Sequence, residues 1–304
     1  MNNISAIIAA KQSPRYLFDV LDSISSLVSE IIILDIGLDK EYRTGLEKKG
    51  GLKLITIAKP VPYIELIREE SKQYAHNEYI LFLDPDEIIS PALAELLTDI
   101  YTKHDYISIP RKNMIMQKWI KHSRWWPDRQ VRLFKKDAVT WPTQIHQQPL
   151  TSGNGFIVEA NEELAIIHQS YDSYDDYITK AIRYAKAEAQ ELVHEAAPYY
   201  LKTTIRRALS EFISRYFADD GYKDGMHGFV LSFTQMFYYF LVYFYYWEAK
   251  KYPQVPVDDI TRETRHFFSQ GLYETNHWSV KRKTSISAKS FTLRLQNLLL
   301  RMTK

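Results

Sequence analysis

Residues 79–87 read Tyr-Ile-Leu-Phe-Leu-Asp-Pro-Asp-Glu. The first five are apolar without alternation. A run that short and that uniform is a strand buried on both faces, the habit of a parallel sheet. Pro85 interrupts it, and Asp84 and Asp86 leave its end two residues apart, with Glu87 next. Towards the N-terminus, residues 4–9, 31–34 and 52–57 are further apolar, β-favouring runs. Helical spacing lies between them: Leu17, Val20, Leu21 and Ile24 share one face, and residues 64–75 have helical character. Strands alternating with helices predict βαβ units and a parallel sheet. Such sheets bind ligands beyond the carboxyl ends of their strands. Asp35 and Asp84 both stand at such ends.

Two carboxylates at one strand end repel each other unless a counter-charge intervenes. A hard divalent cation, Mg²⁺ or Mn²⁺, supplies one and is commonly shared with phosphate oxygens. The competing reading is a solvated turn, with Asp86 and Glu87 facing water. The middle of the chain, 101–168, changes character. Short strands are expected at 107–109 and 131–134, among many Trp, His, Arg and Lys residues. Helices are expected at 173–194 and 201–217, with a turn at 219–225 and an uncharged stretch at 225–247.

Composition narrows the classes. The chain has 304 residues, enough for one large or two smaller domains. With 39 basic and 37 acidic residues its net charge is +2, which excludes a globally basic nucleic-acid coat and an acidic solvating protein. There is no cysteine, so disulfide scaffolds, zinc-thiolate sites, iron–sulfur clusters and thiol nucleophiles are excluded. The opening MNNISAIIAAKQSP lacks a basic segment, and its apolar run is short for a secretory signal; a cytoplasmic chain is expected.

The blocks ILFLDPDE, IPRKN, WWPDRQVRLF, IHQ and IIH occur in that order. Together they resemble the family 2 inverting glycosyltransferases of the GT-A fold, within them the lipopolysaccharide-core glucosyltransferase type. Members of that type read LSLDADE, IPRRN, W-P-D-x-Q-x-R-L-F, VHE and L-x-H. The similarity runs over about 4–168 and resumes in the aromatic segment 213–248. It implies an α/β, Rossmann-like GT-A domain over 1–170, with a nucleotide half at 1–100 and an acceptor half at 101–170. A helical region at 171–250 and a linker with a basic tail at 251–304 complete the expected organisation.

The resemblance also implies roles. A nucleotide-sugar donor would meet Asp35, Asp39, Arg68, Asp84, Gln130 and Arg132. Asp84, Asp86 and His146 would hold Mg²⁺ or Mn²⁺, with His168 a further ligand or diphosphate donor. Asp128 would be the general base. Trp125 and Trp126 would stack on sugar and raise the basicity of Asp128 by excluding water. The alternatives stay open: Asp128 pairing with Arg129 or Arg132, Arg132 as a structural ion-pair partner, and Arg68 as a helix charge paired with Glu65 or Glu69. Departures fall on the donor side: Ala10-Lys11-Gln12 replaces Lys-Asn-Glu, Leu38 replaces a serine, and Gln147 replaces the glutamate of VHE. A non-catalytic scaffold and a nucleotidyltransferase are the rival functions; the second lacks a glycine-rich signature here.

The stretch MFYYFLVYFYYW at 236–247 has three readings: a buried helix, a helix in the membrane plane, or a dimer face. From 275 onward seven Lys/Arg and no Asp/Glu occur, leaving −5 on the rest. Phe291, Leu295, Leu298, Leu299 and Met302 would share one helical face, which reads as a surface binder of anionic lipid or as a docked or frayed terminus. The expected partners are thus the donor, a glycan or lipid-linked acceptor, a membrane surface and a second copy, with no nucleic acid.

Overall fold

The computed structural model describes residues 2–61, 63–142, 147–282 and 296–298. The chain divides into two compact units: residues 1–119 with 126–170, and residues 120–125 with 171–304.

The first unit opens with β1 (Ile4–Gln12), α1 (Leu17–Ile24), β2 (Glu30–Leu38), α2 (Lys40–Lys49), β3 (Lys53–Thr56), α3 (Glu65–Ser71) and β4 (Tyr79–Leu83). β3, β2, β1 and β4 lie side by side, all parallel, with Ile7 opposite both Ile32 and Phe82. The α/β class expected from the alternating runs is therefore the one found. The pleat sorts the residues. Ile4, Ala6 and Ile8 of β1 and Leu81 and Leu83 of β4 pack with Leu17, Val20, Leu21 and Ile24 of α1. Ile7, Ile80 and Phe82 join Ile67 of α3 on the other side. Both faces are covered, so the strands need no polar alternation.

The unit continues through β5 (Glu87–Ile89), α4 (Pro91–Ile100), β6 (Tyr106–Ile115), β7 (Lys118–Trp119), β8 (Arg129–Lys135), β9 (Val139–Thr140), β10 (Leu150–Thr151), β11 (Gly155–Ile157) and β12 (Ile166–Tyr171). Ser90 caps α4 by accepting the Leu93 amide, with Pro91 at its first turn. β8 runs antiparallel to β4, with Phe134 opposite Ile80, and β6 runs antiparallel to β8. β12 pairs antiparallel with β5, which sets His168 opposite Glu87. These antiparallel additions bring distant side chains to the end of β4.

The second unit contains α5 (Tyr174–His194), α6 (Leu201–Ile213), α7 (Met226–Ala249) and α8 (Val257–Lys281). Ser173 and Asp176 form a reciprocal capping box at the start of α5. Ala208 packs with Met236 and Tyr239, and Leu209, Ile213 and Phe217 form a neighbouring cluster reached by Phe267 and Trp278 of α8. Gly228 is obligatory: a Cβ there would lie 1.8 Å from the Gly221 carbonyl oxygen. The stretch read as a linker carries α8, whose buried residues include the polar Glu263 and Asn276. A helix that buries polar groups leaves no apolar period to read.

The segment 120–125 is pinned by the turn 219–225. Asp219 accepts Arg124 Nε through its carboxylate at 2.7 Å and the Ser123 amide through its carbonyl at 2.8 Å. The Asp224 carboxylate accepts the His122 amide at 2.9 Å. Arg215 Nη1 donates to the Ser123 carbonyl at 3.2 Å. Ser123 and Arg124 adopt φ of 60° and 70°, strained values that these contacts hold in place.

Candidate active site

The end of β4 carries a cluster of alternating charges, all within the first unit. Arg132, on β8 and 2% exposed, donates through Nη2 to Asp84 Oδ2 at 2.8 Å and to Glu87 Oε1 at 2.6 Å. Arg111, on β6, reaches the same Glu87 oxygen at 3.1 Å through Nη1. It also holds Asp128 Oδ2 with Nε at 3.0 Å and Nη2 at 2.6 Å. Glu87 is fully buried and further accepts the Asp84 amide at 3.1 Å. A buried carboxylate is tolerated only with such compensation. The counter-charge that the paired carboxylates call for is thus present in the chain: Arg132 and Arg68 engage Asp84.

Arg68 is not a solvated helix charge. Its guanidinium lies 3.3 Å from Asp84 Oδ1 and stacks 4.6 Å from the Trp141 ring centroid. Burial holds its pKa below the ordinary arginine value, opposed by Asp84. Arg132 is raised instead: burial opposes its charge, but Glu87 and Asp84 outweigh it. Arg132 thus ion-pairs with both carboxylates. Asp84 is pressed upward by burial, yet Arg132, Arg68 and Arg111 hold its carboxyl well below the usual range.

Asp128 receives four donors. Besides Arg111, Asn113 Nδ2 donates to Oδ2 at 2.9 Å and Gln130 Nε2 to Oδ1 at 3.3 Å. Burial pushes its pKa up, but the Arg111 charge and the Asn113, Arg111 and Gln130 hydrogen bonds bring it below the ordinary value. This corrects the expectation that flanking tryptophans raise its basicity. The partner is Arg111, not Arg129 or Arg132. Trp126 packs edge-on to Trp119 at 5.2 Å, whereas Trp125 belongs to the second unit; they do not form one platform within a unit.

Asn113 links Asp128 to His168. An ionised carboxylate only accepts, so the Asn113 amide nitrogen must face Asp128. Its oxygen then faces His168 Nδ1 at 2.6 Å, and Nδ1 must carry the proton. The other ring nitrogen, Nε2, lies 3.8 Å from Asp86 Oδ1. An imidazole nitrogen and a carboxylate oxygen make a donor set suited to Mn²⁺ or Mg²⁺. Among the described residues no cluster of three or more His, Asp or Glu ligands is assembled. Two protein ligands would leave the other positions of such an ion to water and further oxygen donors, as Mg²⁺-type sites prefer. Asp86 and His168 therefore fit the expected metal, whereas Asp84 is committed to arginines. His146 lies outside the described residues.

Asp35 and Asp39 sit elsewhere. β2 runs on to Leu38, so Asp35 is within the strand, opposite Ala10 and Thr56. It is 1% exposed, accepts the Gly37 and Leu38 amides at 3.0 and 2.8 Å, and pairs with Arg43 at 2.5 Å. Its carboxylate is engaged by the amides of its own turn and by Arg43. Asp39 is exposed and accepts Ser13 Oγ at 2.5 Å. A cavity of about 310 Å³ lies by the ends of β2 and β3 against α3, lined by Thr56, Ala58, Lys59, Ile67, Ser71 and Tyr74.

The sequence motifs assign no role to Arg111 or Asn113, and Glu87, which faces water in the solvated-turn alternative, is buried. Their i, i+2 spacing in IPRKN put Arg111 and Asn113 on one strand face; that signal was available.

No family model matches the chain. It is 25% identical over 252 residues to an uncharacterized glycosyltransferase of Rickettsia felis, spanning 74% of this chain and 85% of that protein. A Rickettsia typhi counterpart is 22% identical over 259 residues, spanning 79% and 85%. Among solved structures, Staphylococcus aureus TarS 1–349 aligns over 98% of this chain and 88% of its own, at 10% identity and a TM-score of 0.41. Over roughly three quarters of its length, then, the chain is similar in sequence to proteins named glycosyltransferases.

Proposed function

We propose that this chain is a metal-assisted, inverting glycosyltransferase of the family 2 type. It moves a hexosyl group from a nucleotide-sugar donor to a glycan or lipid-linked acceptor in cell-envelope polysaccharide synthesis, of the lipopolysaccharide kind. The observation that carries the reading is the placement of Asp128, Asn113, His168 and Asp86 in one hydrogen-bonded or ion-paired series.

Asp128 Oδ2 is saturated by Arg111 and Asn113, while Oδ1 meets only the longer Gln130 contact. Oδ1 is thus the oxygen open to an acceptor hydroxyl. It takes the hydroxyl proton as the acceptor oxygen attacks the anomeric carbon. The bond from that carbon to the diphosphate oxygen breaks, its electron pair leaves with the nucleoside diphosphate, and the configuration inverts. The lowered pKa keeps Asp128 ionised at neutral pH; its contribution is orientation and permanent readiness rather than high basicity. Mn²⁺ or Mg²⁺ held by Asp86 and His168 would supply counter-charge to the departing diphosphate. Asp84 and Arg68 would meet the donor beside it, with Arg132 and Glu87 fixing their geometry. The cavity near Thr56 and Ser71 is the recess for the nucleoside, and the basic tail draws the chain to an anionic inner membrane face, where a lipid-linked acceptor is presented.

Calorimetry with UDP-, GDP- and dTDP-sugars, in Mn²⁺ or Mg²⁺ and then chelator, tests this. One donor should bind only with metal, and Asp86→Ala should abolish the metal dependence. Failure of every donor to bind would remove the transferase reading and leave the non-catalytic scaffold.

A further inference from the structure

Helix α7 turns its most apolar side outward. Its buried side carries Gly228, Ser232, Thr234 and Tyr239 beside Leu231, Met236 and Val242. Met226, Phe229, Phe233, Phe237 and Phe244 face out, at 70%, 37%, 46%, 42% and 46% exposure. With the half-buried Phe240 they fall within an arc of about 80° and along about 27 Å of the helix. The rings form a tract rather than isolated points. Phe229 stacks on Phe233 at 5.6 Å, Phe240 meets Phe244 at 6.2 Å and Phe267 at 6.3 Å, and Phe268, 69% exposed on α8, lies 5.5 Å from Phe267. An exposed apolar patch of this extent marks an interaction surface.

Its chemistry points to lipid. Residues 225–247 hold no formal charge; the exposed Glu248 comes next, and the exposed Lys250 and Lys251 follow it. Trp247 stands on the same side at that end, the place where an indole sits at a headgroup boundary. From Met226 to Phe244 the exposed residues of this face are phenylalanine and methionine, without the Arg and Tyr enriched at protein interfaces. The chain after α8 adds only basic charge, complementary to anionic headgroups. Among the described residues no helix is long and apolar enough to cross a membrane.

We infer that the phenylalanine face of α7 docks on an anionic lipid bilayer, lying in the headgroup plane. This surface goes beyond the attraction assigned to the tail and stands without any step of sugar transfer.

The test is co-sedimentation of the full-length chain with phosphatidylcholine vesicles, with and without phosphatidylglycerol. The wild type binds the anionic vesicles. Phe233→Ser/Phe237→Ser weakens binding by roughly tenfold or more, since each ring loses its apolar burial. Its nucleotide-sugar binding stays unchanged, which separates this inference from the transferase reading. Should the double variant fail to fold, Phe237→Gln alone is used, with a smaller loss expected. Absence of wild-type binding overturns the proposal, as does equal binding by a folded variant. So does a wild-type dimer that the variant dissociates, because a second copy would then cover the face. Truncation after Arg282 should reduce salt-sensitive binding and leave the phenylalanine-dependent part; complete loss would assign the membrane contact to the tail instead.

Discussion

Asp35 and Asp84 each follow an apolar run of a parallel strand, Asp35 still within β2 and Asp84 just past β4, yet the fold spends them differently. Asp35 is sealed in by one arginine and two amides of its own turn. Asp84 is half-exposed and shares Arg132 with Glu87, which in turn shares Arg111 with Asp128. The first arrangement is local and closed. The second is a chain of ion pairs drawn from β4, β5, β6 and β8, so disturbing one member reaches the others. A strand-end aspartate is therefore not a functional group by position alone; what the neighbouring strands bring to it decides.

The largest expected effect lies at the far end of that chain. Asp128→Asn should lower transfer by about 10²- to 10⁴-fold while donor binding persists; transfer at the wild-type rate would remove Asp128 as the base. Arg132→Met removes the buried guanidinium that Asp84 and Glu87 share, leaving them only Arg68 and Arg111, and should destabilise the fold by about 3–5 kcal/mol in denaturant titration. If the loss is no larger than for Arg43→Met, the two aspartate sites do not differ as described. Asn113→Ala frees His168 and should weaken Mn²⁺ binding by about 10- to 100-fold, read by calorimetry without donor. Asp35→Asn should cost only about 1–3 kcal/mol of stability and leave the choice among donor bases intact; a switch in base preference would restore Asp35 to the donor pocket. The smallest effect is with pH. Asp84 and Asp128 both lie below the ordinary carboxylate value. Their contribution to stability is then complete above about pH 4 and is lost only as pH falls through the native values. Thermal midpoints at pH 7 and pH 5 should differ little on their account, and the acid limb of the transfer profile should fall below pH 5.

Much of the first unit could be read from sequence because burial on both faces writes uninterrupted apolar runs, as in β1 and β4. The helix expected at 173–194 is found as α5, Tyr174–His194. Other features had no local signature. Arg132 and Asp84 are 48 residues apart and Asn113 and His168 are 55 apart; their meeting depends on β8 and β12 adding antiparallel to strands read separately. Arg68 looked like a surface charge because its partners, Asp84 and Trp141, lie far along the chain. α8 was missed because polar residues occupy its buried positions. His146 and most of the amphipathic tail, Phe291, Leu295, Leu299 and Met302, fall outside the described residues.

The pinning of residues 120–125 by the turn 219–225 carries a consequence for biosynthesis. His122 and its partner Asp224 are 102 residues apart. A ribosome releases the segment that leads directly into Asp128 long before its anchors exist. A nascent or truncated chain ending at residue 170 therefore lacks the clamp that holds residues 120–125. Limited proteolysis should cut such a fragment between 119 and 126 and spare the complete chain there; equal resistance would show that the segment holds its course without Asp219 and Asp224.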